Sequence, residues 1–407
     1  MSWKKSTIGN VLSIIKNGIN CEQNKIPIGY KITRIETIAK RQFDFDRVGY
    51  ANLTENEKER SKLKVGDILF SHINSPVHVG KTAIYQGDKE IYHGINLLLM
   101  RTNEDVNPYF FNYFLNYLFF TGYWKKKCKQ SVNQASVNQK DISKVEFSYP
   151  SLSIQQSIVA KFDKIFAEID KASGAAETNV RNTKDFLNNF ISEKLNKKNG
   201  KIIEFKKIIE VLTDYHANGS YKVLKKNVEI KSDKSFAWMV RSTDFENNFQ
   251  NNFRYIDKKA YEFLKKSKIF GGEILMCKIG NAGEVYLMPK ISSPCSLAMN
   301  LFLIRVNENI CITKFVYYFL ISNNGKLQIF NKLKGATTKT ITKENVKSLK
   351  IPLVDLETQK LFVKKIEEIE KITNNLIKKY NHKIDLFNIL RNSILNQAFN
   401  GELVKVA

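Results

Sequence analysis

The stretch SLSIQQSIVAKFDKIFAEIDKASGAAETNVRNTKDFLNNFISEKLNKKNG, residues 151–200, decides the fold. From Ile154 its apolar positions step by threes and fours: Ile154, Ile158, Phe162, Ile165, Ile169, Ala172, Ala176, Val180, Thr183, Leu187, Ile191 and Leu195. That spacing is one stripe along a single long helix. Asn199-Gly200 predicts its stop, with the glycine in a left-handed C-terminal cap. At ~1.5 Å per residue, about 45 residues make a rod on the order of 65–70 Å. Gly174-Ala175-Ala176 is its weakest stretch and a candidate bend.

A second stripe follows: Leu356, Phe362, Ile366, Ile369, Thr373, Leu376, Tyr380, Ile384, Phe387, Leu390, Ile394 and Ala398, stopping at Asn400-Gly401. Both helices are polar off the stripe, so the simplest burial is stripe on stripe. The chain between them joins the end of the first to the start of the second, which an antiparallel pair allows without a long linker.

The remainder also repeats, at a shift of roughly 204 positions. Tyr50 meets Tyr255, Gly66-Asp67-Ile68-Leu69 meets Gly272-Glu273-Ile274-Leu275, and Asn96 meets Asn300. Tyr113-Phe114-Leu115 meets Tyr318-Phe319-Leu320, and Leu152 and Gln155 meet Leu356 and Gln359. Short apolar runs at 67–70, 82–85, 96–101, 272–278 and 300–306 read as strands, and 108–124 and 314–330 as helices. The expected class is α+β: two mixed α/β heads separated by two long helices in an antiparallel coiled coil, with a pseudo-twofold internal repeat. The expected boundaries are 1–150 and 201–352 for the heads, and 151–200 and 353–407 for the helices.

The 407 residues suffice for two or three domains, and an apolar fraction of 43% argues against disorder. A net charge of +25, from 65 Lys and Arg against 40 Asp and Glu, opposes compaction and points to a polyanionic partner. The five cysteines are scattered without a C-x-x-C pair, which argues against a disulfide framework and fits a reducing compartment. With no apolar run of spanning length and no signal peptide at Met1–Gly9, a cytoplasmic protein is expected.

No catalytic constellation stands out. Asn107-Pro108-Tyr109-Phe110 is close to the N-P-P-Y/F signature of adenine methyltransferases but lacks the second proline and a Gly-rich loop before it. It reads as a proline at a helix start. The E-x-K fragments Glu204-Phe205-Lys206 and Glu229-Ile230-Lys231 lack a convincing upstream acid. There is no P-loop, and His72, His78 and His93 have no metal-ligand spacing. No cofactor or metal is expected in this chain.

The junctions from head to helix carry a family resemblance. They read Ile351-Pro352-Leu353-Val354-Asp355-Leu356-Glu357-Thr358-Gln359 in the second copy and Phe147-Ser148-Tyr149-Pro150-Ser151-Leu152-Ser153-Ile154-Gln155 in the first. With Gly66-Asp67-Ile68-Leu69-Phe70-Ser71, Gly80-Lys81, Ile142, Val346 and the tail Ser393–Val404, the chain resembles the specificity subunit of type I restriction-modification systems along nearly its whole length. The family pattern is of the type I-P-L-P-P-L-x-x-Q. The first copy lacks the first proline and the second lacks the later pair.

The resemblance implies that each head is a target recognition domain reading one half of a split, asymmetric DNA sequence. The helices would set the unread gap and dock methyltransferase subunits, two of them by pseudo-symmetry, which modify adenine with S-adenosylmethionine. A nuclease/translocase subunit would join the assembly, and this subunit would not itself be catalytic. A related system whose partner fuses nuclease and methyltransferase fits the sequence equally.

Duplex contacts need Lys and Arg for phosphates and Arg, Lys, Asn or Gln for base edges. In the first head the candidates are Arg34, Arg41, His72, Asn74, Lys81, Lys129 and Asn133. In the second they are Arg241, Arg254, Lys278, Asn281 and Lys339, beside the amide-rich run Asn247–Asn252. Arg34 and Arg241 occupy similar places, so their repetition equally suits a guanidinium that ties a loop to the core. The aromatic groups Phe110-Phe111, Tyr113-Phe114 and Tyr317-Tyr318-Phe319 read as core.

Overall fold

The structure, a computed structural model, describes residues 3–87, 89–131, 134–196 and 200–400, with the backbone alone described at 130, 131 and 134. Asn133, Asn199, Gly401 and the tail after it therefore lie outside the described residues. The chain divides into two units, Met1–Glu177 with His382–Ala407, and Thr178–Asn381.

In the first unit an antiparallel four-stranded sheet runs in the order Leu12–Asn17, Leu98–Thr102, Ile68–Phe70, Thr82–Ile84. Its two central strands, Ile68–Phe70 and Leu98–Thr102, carry short continuous apolar runs because both faces are covered. Alternate residues go to opposite sides. Ile68, Phe70, Leu98 and Met100 join a core with Phe110, Phe111, Phe114 and Leu115. Leu69, Ala83 and Leu99 join a second core with Ile38 and Ile91. The helix Pro108–Phe120 starts where the sequence predicts, with Asn107 Oδ1 accepting from Tyr109 N–H at 2.9 Å and Phe110 N–H at 3.2 Å. It ends earlier than predicted, because Gly122 turns left-handed (φ +73°) before a separate turn at Tyr123–Lys127.

The second unit repeats this plan with the order Ile209–Asp214, Leu301–Val306, Ile274–Cys277, Val285–Leu287. Ile274, Met276, Phe302 and Ile304 face Phe315 and Phe319, while Leu275, Cys277, Leu301 and Leu303 face the other core. The β-bulge repeats too, between Leu12 and Ile14 in one sheet and Ile209 and Val211 in the other. So does an internal ion pair: Arg101 grips Asp67 at 2.6 and 2.7 Å, and Arg305 reaches Glu273 at 3.0 Å. The predicted helix over 314–330 is instead two, Thr313–Ile321 and Asn323–Phe330, because Ser322 caps the second by accepting from Gly325 N–H.

The long helices are Leu152–Asn196 and Leu356–Phe399, and the first runs unbroken through Gly174-Ala175-Ala176. In the first unit Phe162, Phe166 and Ile169 pack with Leu395 and Ala398. Arg391 pairs with Asp170, while Phe399 lies on Phe110 and Phe114, so these segments run in opposite directions. In the second unit Ile191 and Leu195 share a core with Phe362, Val363 and Ile366. The buried stripe departs from the predicted one. Phe166 replaces Ile165, which is exposed, and Leu376 and Leu390 are exposed as well. Helical spacing suits 165 and 166 equally between Phe162 and Ile169, and contacts of Phe166 with Tyr113, Phe162 and Arg391 decide for it.

Gly200 is not a left-handed cap, since its φ lies outside that region. It precedes the strand Lys201–Glu204, and a Cβ there would sit 3.0 Å from the Leu353 carbonyl oxygen. That strand pairs antiparallel with Lys350–Leu353, as Lys4–Thr7 pairs with Glu146–Tyr149. Among the described residues no helix is long and apolar enough to cross a membrane.

One glutamine per unit fixes helix to head. Gln155 is fully buried; its Oε1 accepts from Asn107 N–H at 2.8 Å, and its Nε2 donates to the carbonyls of Asp105 (3.0 Å) and Pro150 (2.9 Å). Gln359, equally buried, accepts from Ile312 N–H at 2.8 Å and donates to Ile310 (3.2 Å) and Val354 (2.8 Å). A Gln155→Leu change keeps the volume but strands buried backbone groups, so we expect a loss on the order of 3 kcal/mol in urea unfolding of the full chain. His93 supplies a pH test. It is fully buried, and burial lowers its imidazole pKa to about 4, against 6.5 ordinarily. Between those values the unfolded chain takes up a proton that the folded chain refuses. Stability therefore falls as pH drops from about 6.5 toward about 4, and His93→Gln is expected to flatten that part of the urea-midpoint profile.

Candidate nucleic-acid interface

In the first head the turn after Ile68–Phe70 lies flat on Trp124. Gly80 makes this possible: its φ is +88°, and a Cβ would fall 2.2 Å from the indole ring. The strand Ile73–Asn74 leaves this turn and pairs with Gln134–Ser136, which pairs with Lys129–Ser131. Lys129 is exposed at the far side of this ribbon, opposite Ser136. Asn133 lies outside the described residues.

Asn74, Arg34 and Lys81, apart in sequence, line one cleft of about 400 Å³ together with His78, Asn96 and Glu36. Arg34 N–H donates to Thr37 Oγ1 at 2.9 Å, which fixes its backbone, and its Nε lies only 3.5 Å from Glu36. The Arg34 guanidinium also lines a neighbouring cleft with Lys25, Asp46 and Arg47. Lys81 donates to the Ala39 carbonyl at 2.8 Å, and burial followed by the charge of Arg41 lowers its pKa. His78 is lowered by burial and then by Lys81. In both, burial is the larger cause and the neighbouring cation the smaller.

Arg41 departs from a free surface arginine. Its backbone is left-handed (φ +61°), and its guanidinium lies 4.1 Å above the centre of the Phe120 ring. Burial first, and then Arg391, brings it to about 10 against the pull of Asp170. His72 departs further. It is buried, with Nε2 3.2 Å from Asn17 Nδ2, and burial lowers its pKa, so it is an internal group rather than a surface contact.

In the second head the loop after Arg241 carries the amides. Residues 247, 248, 250, 251 and 252 are exposed, and Asn248, Phe249 and Asn252 are left-handed (φ +48°, +55° and +59°). Asparagine tolerates this region, whereas for phenylalanine it is strained. Aromatic contacts hold the strain: Trp238 meets Phe249 at 5.3 Å and Phe253 at 4.9 Å edge-on, and Phe245 stacks on Tyr286 at 4.4 Å. Arg241 ties the loop down. Its Nη2 donates to Asp244 at 2.7 Å and to the Asn252 carbonyl at 2.5 Å, and its N–H donates to Asp244 at 2.7 Å. The repeated arginines therefore share a backbone role, and Arg34 also lines two clefts.

Arg254 is half-buried and donates to the Phe253 carbonyl at 3.2 Å. Lys278 is not at the surface. It is buried, pairs with Asp214 at 2.8 Å, and lies 3.2 Å from His216 Nδ1. Asn281 is exposed on the next turn, donating to Glu246 at 3.1 Å. Thr340 bridges Ile279 and Lys334, which brings the exposed Lys339 loop beside that turn. Asn96 and Glu36 were not anticipated at the first cleft; the repeat of Asn96 at Asn300 is the one sequence signal that singled out either residue.

The model of the type I restriction modification DNA specificity domain matches residues 1–178 and 203–386. The chain is 30% identical over 387 residues to the putative type I restriction enzyme MjaX specificity subunit of Methanocaldococcus jannaschii, covering 91% of this chain and 87% of that one. It is 22% identical to the type I restriction enzyme StySPI specificity subunit of Salmonella potsdam, covering 98% and 89%. A solved chain from work on complex assembly and conformational transition of the type I R-M system shares the fold, with a TM-score of 0.67, 15% identity and 98% of each chain covered.

The two repeated arginines are separable by mutation. Arg34→Ala is expected to weaken binding of duplex DNA at low salt several-fold, on the order of one phosphate contact, without moving the unfolding midpoint. Arg241→Ala strands the fully buried Asp244 carboxylate and is expected to cost about 3 kcal/mol in denaturant unfolding.

Proposed function

Because the chain belongs to the type I restriction modification DNA specificity family, we propose that it reads a two-part, asymmetric DNA sequence, one half per head. The observation that carries this reading is the duplication of one sheet plan with basic and amide-bearing loops at the same edge. Arg34, Asn74, Lys81 and Lys129 act in the first head, and Arg254, Asn281, Lys339 and the amides of 247–252 in the second. Arg41, His72, Arg241 and Lys278 act behind them, holding loops. Phosphate contacts set the register of the duplex, and a few base contacts per head carry the sequence information.

Residues 1–150 and 201–352 serve as the readers, and 151–200 and 353–407 as spacer and dock. Apolar side chains left exposed on the second long helix, including Leu361, Ile372, Leu386 and Ile389, supply faces for methyltransferase subunits, two per chain. Those subunits bind S-adenosylmethionine and methylate adenine, and nuclease/translocase subunits join them in the cytoplasm. This chain contributes recognition and no catalysis. Simultaneous engagement multiplies the discrimination of two modest heads through effective concentration.

Expression with the methyltransferase subunit and mapping of methylated adenines tests the reading. A two-part motif with a fixed gap is expected. Inserting two heptads in both long helices is expected to change the gap and leave the half-sites unaltered. An uninterrupted motif, or a gap indifferent to helix length, would overturn it.

A further inference from the structure

Each head holds a small polar cluster at the same place, and the chemistry of the two clusters differs. In the first head Asn17 Nδ2 lies 3.2 Å from His72 Nε2, and Gln139 Nε2 donates to Asn17 Oδ1 at 2.9 Å. In the second, Lys278 Nζ donates to Asp214 Oδ2 at 2.8 Å and Lys343 Nζ to Asp214 Oδ1 at 3.1 Å.

Sheet register makes these residues equivalent. Asn17 and Asp214 end the edge strands, opposite Leu98 and Phe302. Those residues in turn face Phe70 and Met276. His72 and Lys278 each stand two residues further on, and so on the same face. Gln139 and Lys343 are each the first residue of a short helix, behind the caps Asn138 and Thr342. The backbone repeats the tie: Val137 N–H donates to the His72 carbonyl at 2.9 Å, and Ile341 N–H to the Lys278 carbonyl at 3.0 Å.

Three segments meet at each cluster: the edge strand, the turn after the third strand of the sheet, and the helix that follows the ribbon or loop. The last two flank Asn74 and Lys129 in one head and Asn281 and Lys339 in the other. Resting on the DNA-reading role of the heads, we propose that this triad is the positioning element of each reader, neutral in the first (Asn17, His72, Gln139) and ionic in the second (Asp214, Lys278, Lys343).

The members are exchangeable only as a set. All three groups of the first triad are uncharged when His72 is neutral, and two hydrogen bonds through Asn17 link them. In the second, one nearly buried carboxylate lies between two ammonium groups that come from different segments and holds both. An Asn at 214 leaves those ammonium groups facing one another without an anion. Buried ions that lose one partner carry an uncompensated charge, so the surrounding loops shift to re-expose it. Members of one such network couple strongly, which a rescue experiment reveals.

The test uses the full chain expressed with its methyltransferase subunit, with methylated adenines mapped for wild type, Asp214→Asn, Lys343→Ala and the triple change Asp214→Asn, Lys278→His, Lys343→Gln. Lys343→Ala keeps the Asp214–Lys278 pair and so serves if Asp214→Asn fails to fold. Either single change is expected to blur one half-motif only and to lower methylation at intact sites about tenfold, the weight of roughly one base pair. The triple change is expected to restore both. A sharp half-motif in the folded single variants, or a triple variant no better than Asp214→Asn, overturns the inference alone. A wild-type chain without a two-part motif overturns the reading of the heads and this inference with it.

Discussion

A buried side-chain amide saturated by three main-chain groups holds each long helix to its head. Gln155 and Gln359 do this without charge, each accepting one backbone N–H and donating to two carbonyls. The groups they hold come from three places: the loop before the head's aromatic helix, the start of that helix, and the turn into the long helix. No apolar residue could satisfy them, and a carboxylate would carry a charge into a fully buried site. The direction in which each rod leaves its head is therefore fixed by hydrogen-bond geometry, and apolar packing such as Phe162 and Phe166 on Leu395 only has to follow it.

Around that anchor the chain separates gripping from holding. Of the cations that meet the surface, Arg34 shares a cleft with the amide of Asn74, and Lys129 stands on the ribbon that Asn74 joins. Cations that sit deeper have partners: Arg101 with Asp67, Arg305 with Glu273, Lys278 with Asp214. Such one-to-one pairs are neutral, so the excess of +25 is carried by cations outside them, and an imbalance of that sign favours a polyanionic partner.

The long helices were legible because a stripe of period 3.6 survives over 45 and 44 residues. The strands were legible because sheets covered on both faces leave uninterrupted apolar runs. Pro108 read correctly as a helix start. Less legible was which residue of a neighbouring pair is buried, as with Ile165 and Phe166, because adjacent helix positions differ by a rotation that composition does not reveal. Gly200 misled because a glycine after a helix suits a cap or a close backbone approach equally, and here the Leu353 carbonyl decides. At the interface His72 and Lys278 looked like contacts because polar residues beside a turn usually face water. Their burial depends on Asn17 and Asp214, which are distant in sequence and whose role only the pairing of strands discloses. Arg241 was ambiguous for the same reason, since Asp244 is near in sequence but the Asn252 carbonyl is brought in by the strained loop.

The paired strands Lys4–Thr7 and Glu146–Tyr149, and likewise Lys201–Glu204 and Lys350–Leu353, make the chain enter and leave each head at one seam. A foreign insert with its own start and finish side by side would join the chain only there, and would have to keep the buried amide and the aromatic contacts with the long helices, such as Phe110 on Phe399. Exchange of a segment between such seams would replace one recognition head and leave the long helices as they are, so that a new specificity arises in one step rather than by gradual remodelling of a binding surface.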